Sequence, residues 1–435
     1  MRLLYLVFGT LLFLVLAPVL LLHRKTRGGL LERFGFYRTG ELRPGGWPRI
    51  WMHGASAGDL QALAPMMRLF RARFPDCRIL VSTITDSGLL MARDRLAAEL
   101  DAVVYAPWDL WGATRRAVRA LAPDVLVLEY TELWPNLIHA VHAKGAKVVL
   151  TNGRFAAERV AGYRALFALT GNPLRELDLL LMREDDEAER ALALGAPLER
   201  VWVTGNTKFD GLRATAPGGD EAELRSALGL SPGARLLIAG STHEGEEDLL
   251  LGVFRGLLGQ HPDLRLLLAP RYTDRAERVA ALAEAAGFRV GLRSAHSVVP
   301  PDAQVLVLGT IGELARAYRL ATVVFVGGSF TSRGGQNILE PAAQGKPVLF
   351  GPNMDNFRDS VQVLVGRGGI QVSDARHLEA LIGDLLARPE ACARLGELAA
   401  QAVRQISGAS QRNVDLIARL LGPAPAAAAV GRSPA

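Results

Sequence analysis

From residue 49 onward the chain alternates short β-rich runs with longer stretches rich in Ala, Leu, Arg and Glu, and few folds accommodate that alternation. The first half offers strands at Arg49–His53, Arg78–Thr83, Ala102–Ala106, Asp124–Glu129, Lys147–Thr151, Asp178–Met182 and Val201–Thr204. The second half offers Arg235–Ala239, Leu264–Ala269, Gln304–Leu308, Thr322–Val326, Pro347–Phe350 and Gly369–Val372. Helical patterns such as Glu221–Leu228 and Glu277–Ala286 separate most of them. Strand and helix in alternation predict parallel sheets covered on both faces. At 435 residues the chain suits two domains of roughly 200 residues each. The series breaks at Gly211-Leu212-Arg213-Ala214-Thr215-Ala216-Pro217-Gly218-Gly219, so residues 211–220 are read as a linker. It joins an N-terminal domain over 24–210 to a C-terminal domain over 221–421, with 422–435 as a disordered tail. Two doubly wound, Rossmann-like domains would place a ligand cleft at the carboxyl ends of their strands.

Before this body, Leu3 to Leu22 is almost uninterruptedly apolar, and about twenty such residues suffice to cross a bilayer as a helix. The run ends in leucines and then His23-Arg24-Lys25-Thr26-Arg27, unlike a cleaved signal, whose apolar core is shorter and ends in small residues. Residues 1–23 are therefore read as a single-pass signal anchor, and the basic cluster after it places the body on the cytoplasmic side. Leu30 to Arg38 mixes apolar and basic residues and is read either as a solvated juxtamembrane helix or as a docking surface for an acidic lipid.

Net charge is +6, carried almost wholly by arginine; there are only five lysines, Lys25, Lys144, Lys147, Lys208 and Lys346. No aromatic-interleaved basic stripe accompanies that charge, so nucleic acid is not the expected partner. Cys77 and Cys392 are too few and too far apart for a disulfide framework or a metal site.

Several polar groups stand where strands stop. Gly54-Ala55-Ser56-Ala57-Gly58-Asp59 follows the first strand, and Asp59 reads either as a helix cap or as a general base. Glu129-Tyr130-Thr131-Glu132-Leu133-Trp134-Pro135-Asn136 closes another strand, with Glu129 the better candidate for the cleft and Glu132 for structure. Lys208, in Gly205-Asn206-Thr207-Lys208-Phe209-Asp210, could neutralise a departing phosphate or sit idle near the hinge. In Ser241-Thr242-His243-Glu244-Gly245-Glu246-Glu247 the acids suit a helix N-terminus. Pro270-Arg271 presents a guanidinium to a phosphate or base, and Gly309-Thr310-Ile311-Gly312-Glu313 offers backbone amides to a phosphate. The loop Gly327-Gly328-Ser329-Phe330-Thr331-Ser332-Arg333-Gly334-Gly335-Gln336-Asn337-Ile338-Leu339-Glu340-Pro341 is the longest glycine-rich strand-to-helix turn. Its amides could surround an anion, Asn337 could cap the helix, and Glu340 could receive two ribose hydroxyls.

Taken in order with Arg33-Phe34-Gly35 and with His53 before the Gly54 loop, these motifs resemble those of the bacterial 3-deoxy-D-manno-octulosonic acid (Kdo) transferases of lipopolysaccharide synthesis, over roughly Leu31 to Arg412. The resemblance implies a two-domain GT-B fold with one N-terminal anchor, the 24–210 domain binding the acceptor and the 221–421 domain the nucleotide sugar. It also implies CMP-Kdo as donor and a phosphorylated lipid A precursor as acceptor, at the anionic inner face of the inner membrane. It puts Pro270, Arg271, Ile311, Gly312, Glu313, Asn337 and Glu340, with Ile338 and Leu339 between the last two, at the CMP moiety, and Lys208 at the transition state. Ile311 stands where the family has methionine. A nucleoside monophosphate leaving group implies no divalent metal. Two departures stand out: the family's general base is glutamate where this chain has Asp59, and Tyr130 occupies a family glutamate position, with Glu129 one residue earlier. A misplacement of about 1 Å can cost on the order of 10²-fold in rate. The expected chemistry is inverting transfer, with Asp59, Lys208 and Glu129 as the catalytic set. The alternatives are a related transferase with another sugar or acceptor, and a donor-binding homologue weakened in catalysis.

Overall fold

The computed structural model describes residues 2–22, 28–38, 42, 45–211, 220–294 and 297–424, which fall into two compact units. The linker read at 211–220 lies, but for its two end residues, outside the described residues, as do the basic cluster at 23–27 and the tail from 425.

The N-terminal unit is built on seven parallel strands: β1 (Arg49–His53), β2 (Arg78–Thr83), β3 (Ala102–Tyr105), β4 (Val125–Glu129), β5 (Lys147–Gly153), β6 (Leu179–Met182) and β7 (Val201–Val203). Their order is β3-β2-β1-β4-β5-β6-β7, so the winding reverses between β1 and β4. Its helices are α1 (Arg2–Leu22), α2 (Leu30–Arg33), α3 (Ala57–Arg73), α4 (Asp86–Arg95), α5 (Trp111–Leu121), α6 (Pro135–His142), α7 (Val160–Thr170) and α8 (Asp185–Ala193). Successive strand residues face opposite sides, and the two cores follow that rule. Ile50 and Met52 of β1 and Val125 and Val127 of β4 pack with Leu63 and Phe70 of α3. Trp51, Leu126 and Leu128 pack on the other face, with Val118 of α5 and Leu137 and Ile138 of α6. A strand buried on both sides must be apolar throughout, which is why these runs stood out in the sequence.

The C-terminal unit repeats the plan with β8 (Leu236–Thr242), β9 (Arg265–Pro270), β10 (Val290–Arg293), β11 (Val305–Leu308), β12 (Val323–Val326), β13 (Val348–Phe350) and β14 (Gly369–Gln371). The order is β10-β11-β9-β8-β12-β13-β14, and the reversal falls between β8 and β12. Around it lie α9 (Asp220–Ala227), α10 (Glu246–Leu258), α11 (Ala276–Ala285), α12 (Leu314–Ala317), α13 (Leu339–Ala343), α14 (Arg358–Leu364), α15 (Ala375–Ala387) and α16 (Pro389–Ile406). Strand β10 was not among the expected runs. It is four residues long and interrupted by Gly291, where a Cβ would meet Val299 Cγ1 at 2.3 Å.

The last helix, α17 (Ala409–Leu421), falls in the expected C-terminal domain by sequence but belongs to the N-terminal unit, which the chain re-enters at Ser407. Val414 and Ile417 join the core under α3. The Asp210 carboxylate accepts the Gly408 and Ser410 amides at the helix start, and Arg412 Nε donates to the Thr204 carbonyl at 2.9 Å.

The apolar N-terminus is helical, as its sequence predicts, but the bilayer-spanning expectation is not supported. Among the described residues no helix is long and apolar enough to cross a membrane. One side of α1 is laid on the N-terminal unit: the Tyr5 hydroxyl donates to Asp109 Oδ2 at 2.8 Å, and the Phe13 ring packs 4.8 Å from that of Trp108. Leu11, Leu12, Leu14, Val15 and Leu16 remain exposed. Arg33, expected in a lipid-facing stretch, is instead buried, donating to the Gly28 and Ile84 carbonyls over the Tyr105 ring.

Candidate active site

In a doubly wound sheet, loops that part at the winding reversal leave a crevice at the carboxyl ends of the strands. In the N-terminal unit that point gathers the ends of β1, β4 and β5. Asp59 occupies the third position of α3, where its Oδ2 accepts both the Ser56 amide and the Ser56 hydroxyl at 2.8 Å. This is the capping reading of the sequence, yet it engages one oxygen only. Among the described residues no hydrogen bond reaches Oδ1, and the side chain is half-buried.

Glu129, the last residue of β4, has no exposed surface. Thr151 Oγ1 donates to its Oε2 at 2.7 Å, and Asn152 Nδ2 donates to its Oε1. Burial pushes the Glu129 carboxyl up to about 8; the nearby Asp59 adds to the rise, while Asn152, Thr151 and Lys208 oppose it. So enclosed, the Glu129 carboxyl is engaged by the protein's own Thr151 and Asn152 rather than presented at the surface. The chain does not bulge here. It turns sharply at Tyr130, whose φ of 57° lies in the left-handed region, a costly conformation for an aromatic residue.

Asn152, also left-handed with φ 51°, is the residue the sequence reading missed. Besides holding Glu129, its amide donates to Thr207 Oγ1 at 2.5 Å, and its carbonyl oxygen accepts the Thr207 amide at 2.9 Å. Its signal was a polar Asn-Gly pair ending an apolar strand, since asparagine tolerates the left-handed region. The network fixes the 205–210 turn and leaves Lys208 exposed, its ammonium 5.1 Å from the centre of the Tyr130 ring. Glu132 serves the turn, as expected: its Oε2 accepts Trp134 Nε1 at 2.9 Å and lies 3.6 Å from Nε2 of buried His53.

At the reversal of the C-terminal unit the long glycine loop does form a nest of amides, but the anion in it is the protein's own. Glu246 accepts the amides of His243 (2.9 Å), Gly328 (2.7 Å), Ser329 (3.0 Å) and Phe330 (3.0 Å), and its carboxylate is buried. Glu247 is likewise consumed, by Thr242 and a bidentate Arg275. Glu246 thus takes the first three amides of the loop, and among the described residues those of 331–334 meet no acceptor.

The other expected donor residues divide. Pro270 is buried at the end of β9, and Ile338 and Leu339 are core residues. The Glu313 carboxylate is held bidentately by Arg293 at 2.9 and 3.2 Å. Burial would raise its carboxyl, but the Arg293 and Thr310 hydrogen bonds bring it below the usual range. Asn337 caps locally, accepting the Leu339 amide at 3.0 Å.

Several further groups remain open at this carboxyl edge. The Arg271 guanidinium is exposed and makes no ion pair among the described residues, resting 5.8 Å from the Tyr272 ring centre. Among the described residues neither the Ile311 nor the Gly312 amide finds a protein acceptor, and Gly312 holds φ 90°. Ile311 itself is 88% exposed. Glu340 is half-buried with no hydrogen bond or ion pair among the described residues, and burial raises its carboxyl. A cation, free amides and an unpaired carboxylate on one sheet edge can receive a phosphate, with vicinal hydroxyls on the carboxylate.

Comparison with known proteins bears on this arrangement. A family profile described as 3-deoxy-D-manno-octulosonic-acid transferase (kdotransferase) matches residues 28–211. The chain is 33% identical over 400 residues to a 3-deoxy-D-manno-octulosonic acid transferase of Haemophilus influenzae, covering 90% of this chain and 91% of that protein. The C-terminal CMP-Kdo binding domain of WaaA from Acinetobacter baumannii aligns at 28% identity over 42% of this chain and 96% of that domain, with a TM-score of 0.40. A UDP-GlcNAc 2-epimerase from Neisseria meningitidis aligns over 85% of this chain and 99% of that one at 11% identity and a TM-score of 0.56, a likeness of fold alone.

Proposed function

Because this chain belongs to the 3-deoxy-D-manno-octulosonic acid (Kdo) transferase family, we propose that it is a glycosyltransferase moving Kdo from CMP-Kdo to the lipid A precursor in lipopolysaccharide biosynthesis. The observation that carries the assignment of roles is the set of groups left unsatisfied at the two carboxyl edges. Asp59 Oδ1, the Lys208 ammonium, the Arg271 guanidinium, the Ile311 and Gly312 amides and the Glu340 carboxylate are all without hydrogen-bond or ion-pair partners among the described residues.

In this reading an acceptor hydroxyl loses its proton to Asp59 Oδ1 as its oxygen bonds to the anomeric carbon of Kdo. The bond from that carbon to the phosphate oxygen breaks with inversion, and CMP leaves with the electron pair. A positioned base contributes about 10²–10⁴ in rate. The Ser56 contacts fix the carboxylate, which suits a side chain one methylene shorter than the family's glutamate. Lys208 offsets the charge growing on the leaving phosphate. Arg271 and the Ile311 and Gly312 amides hold the phosphate, and Glu340 takes the ribose hydroxyls. Cations and amides meet a monophosphate's charge, so the reaction is read as needing no divalent metal. Helix α1 is read as the attachment to the inner membrane, with the body on its cytoplasmic side.

Purified protein given CMP-Kdo and lipid A precursor should yield a lipid heavier by Kdo, measured by mass spectrometry. Asp59→Asn, which can keep the cap while losing the base, should slow turnover by about 10²–10⁴. An Asp59→Asn enzyme as fast as wild type would sink the base assignment, and CMP competing no better than UDP or GDP would sink the donor.

A further inference from the structure

We propose that the groove between α5 and α6 is a binding site for the phosphate of an anionic phospholipid headgroup. It is a cavity of about 210 Å³ whose lining includes Trp111, Arg115, Arg119, Asn136, His139 and Lys144, and no acidic residue. Arg115, Arg119 and Lys144 are exposed and carry no ion pair or hydrogen bond among the described residues. His139 is the exception, paired with Glu176 at 3.1 Å. Arg115 and Arg119 stand four residues apart on one helix face, where like charges repel unless an anion joins them. Elsewhere in this unit arginines of the same kind are used: Arg71 and Arg78 share Asp101, and Arg183 holds Glu187.

Two features identify the source of the phosphate as a lipid. Trp111 is 51% exposed under the Arg115 guanidinium, and an indole with one wet edge is typical of a membrane surface. The groove is also tied to the apolar helix α1, because Asp109 accepts both the Tyr5 hydroxyl and the Asn136 amide. The exposed leucines of α1, Phe36 and Trp111 supply apolar area of the kind that enters an interface, with the cations at headgroup depth. The cavity has room for a phosphate and its ester oxygens but not for acyl chains. The site does not depend on which sugar the enzyme transfers.

The test is partition of the full-length protein into phosphatidylcholine vesicles with and without phosphatidylglycerol, read as the ratio of the two. Any partition through the apolar α1 is common to both vesicles, so only the anionic increment reports the groove. Arg119→Ala/Lys144→Ala should lower that ratio roughly 30-fold, on the order of fivefold for each cation, with an unchanged unfolding midpoint. Arg93→Ala/Arg95→Ala, on α4 against the opposite core, should leave it alone. Equal loss in both variants would mean diffuse surface charge, and no loss in the first would mean no site; either overturns the proposal. Inorganic phosphate should compete no better than chloride at equal ionic strength. Selective displacement by phosphate would assign the groove to a free anion and overturn the lipid.

Discussion

Two glycine-marked turns of the C-terminal unit look alike in sequence and are satisfied differently. The turn at 327–335 spends the amides of Gly328, Ser329 and Phe330 on Glu246, eighty-two residues upstream of Gly328, while among the described residues those of 331–334 meet no acceptor. The turn at 309–312 is braced from outside by the Arg293–Glu313 pair and leaves the Ile311 and Gly312 amides free. The N-terminal unit divides its acids in the same way: Glu129 is enclosed and fully hydrogen-bonded, whereas Asp59 keeps one oxygen free. A nest of amides or a strand-end acid is thus a ligand site only where the protein has not already supplied the counterpart.

The largest effect should come from emptying the filled nest. Glu246→Ala strands four amides, three of them buried, at about 1–3 kcal/mol for each buried one, so unfolding should lose about 3 kcal/mol or more. Denaturant unfolding checks it. A loss under about 1 kcal/mol would break the contrast, because the loop would then not need its internal anion.

The open nest should behave the other way. Nothing lies within 4 Å of a Cβ added at Gly312, so Gly312→Ala costs only the strain of φ 90°. CMP affinity should fall about tenfold as the loop shifts, with a stability change near 1 kcal/mol. Calorimetric CMP titration decides it. Arg271→Ala should weaken CMP by a similar factor with stability unchanged, since its guanidinium supports nothing else.

The smallest and most specific prediction concerns the enclosed acid. Burial pushes the Glu129 carboxyl up to about 8 in the fold, from the ordinary 4.5 of a glutamate in the unfolded chain. Between those values the unfolded chain has released a proton that the native state keeps, so stability should fall as pH rises from about 4.5 to about 8 and level off above. Glu129→Gln mimics the protonated form and should remove that slope. An equal slope in wild type and variant would show that Glu129 is ionised in the fold.

Much was legible beforehand because it rests on local chemistry. Thirteen of the fourteen strands among the described residues could be read from apolar runs, most of them buried, and the missing β10 is four residues long with a glycine at its second position. Asp59 and Lys208 could be read because they flank such runs at turns. Glu246 and Asn152 could not, because their partners lie far along the chain, and the return of α17 to the first unit depends on Asp210 reaching Gly408.

The amino-acid order by itself determined the alternation of elements, two doubly wound sheets and the family, since hydrophobic burial and turn chemistry act over a few residues. Tertiary structure alone decided which polar groups are spent on the protein and which are left for a ligand. That is set by three-dimensional proximity: a buried carboxylate 2.7 Å from an amide removes it from binding, whatever lies between them in sequence.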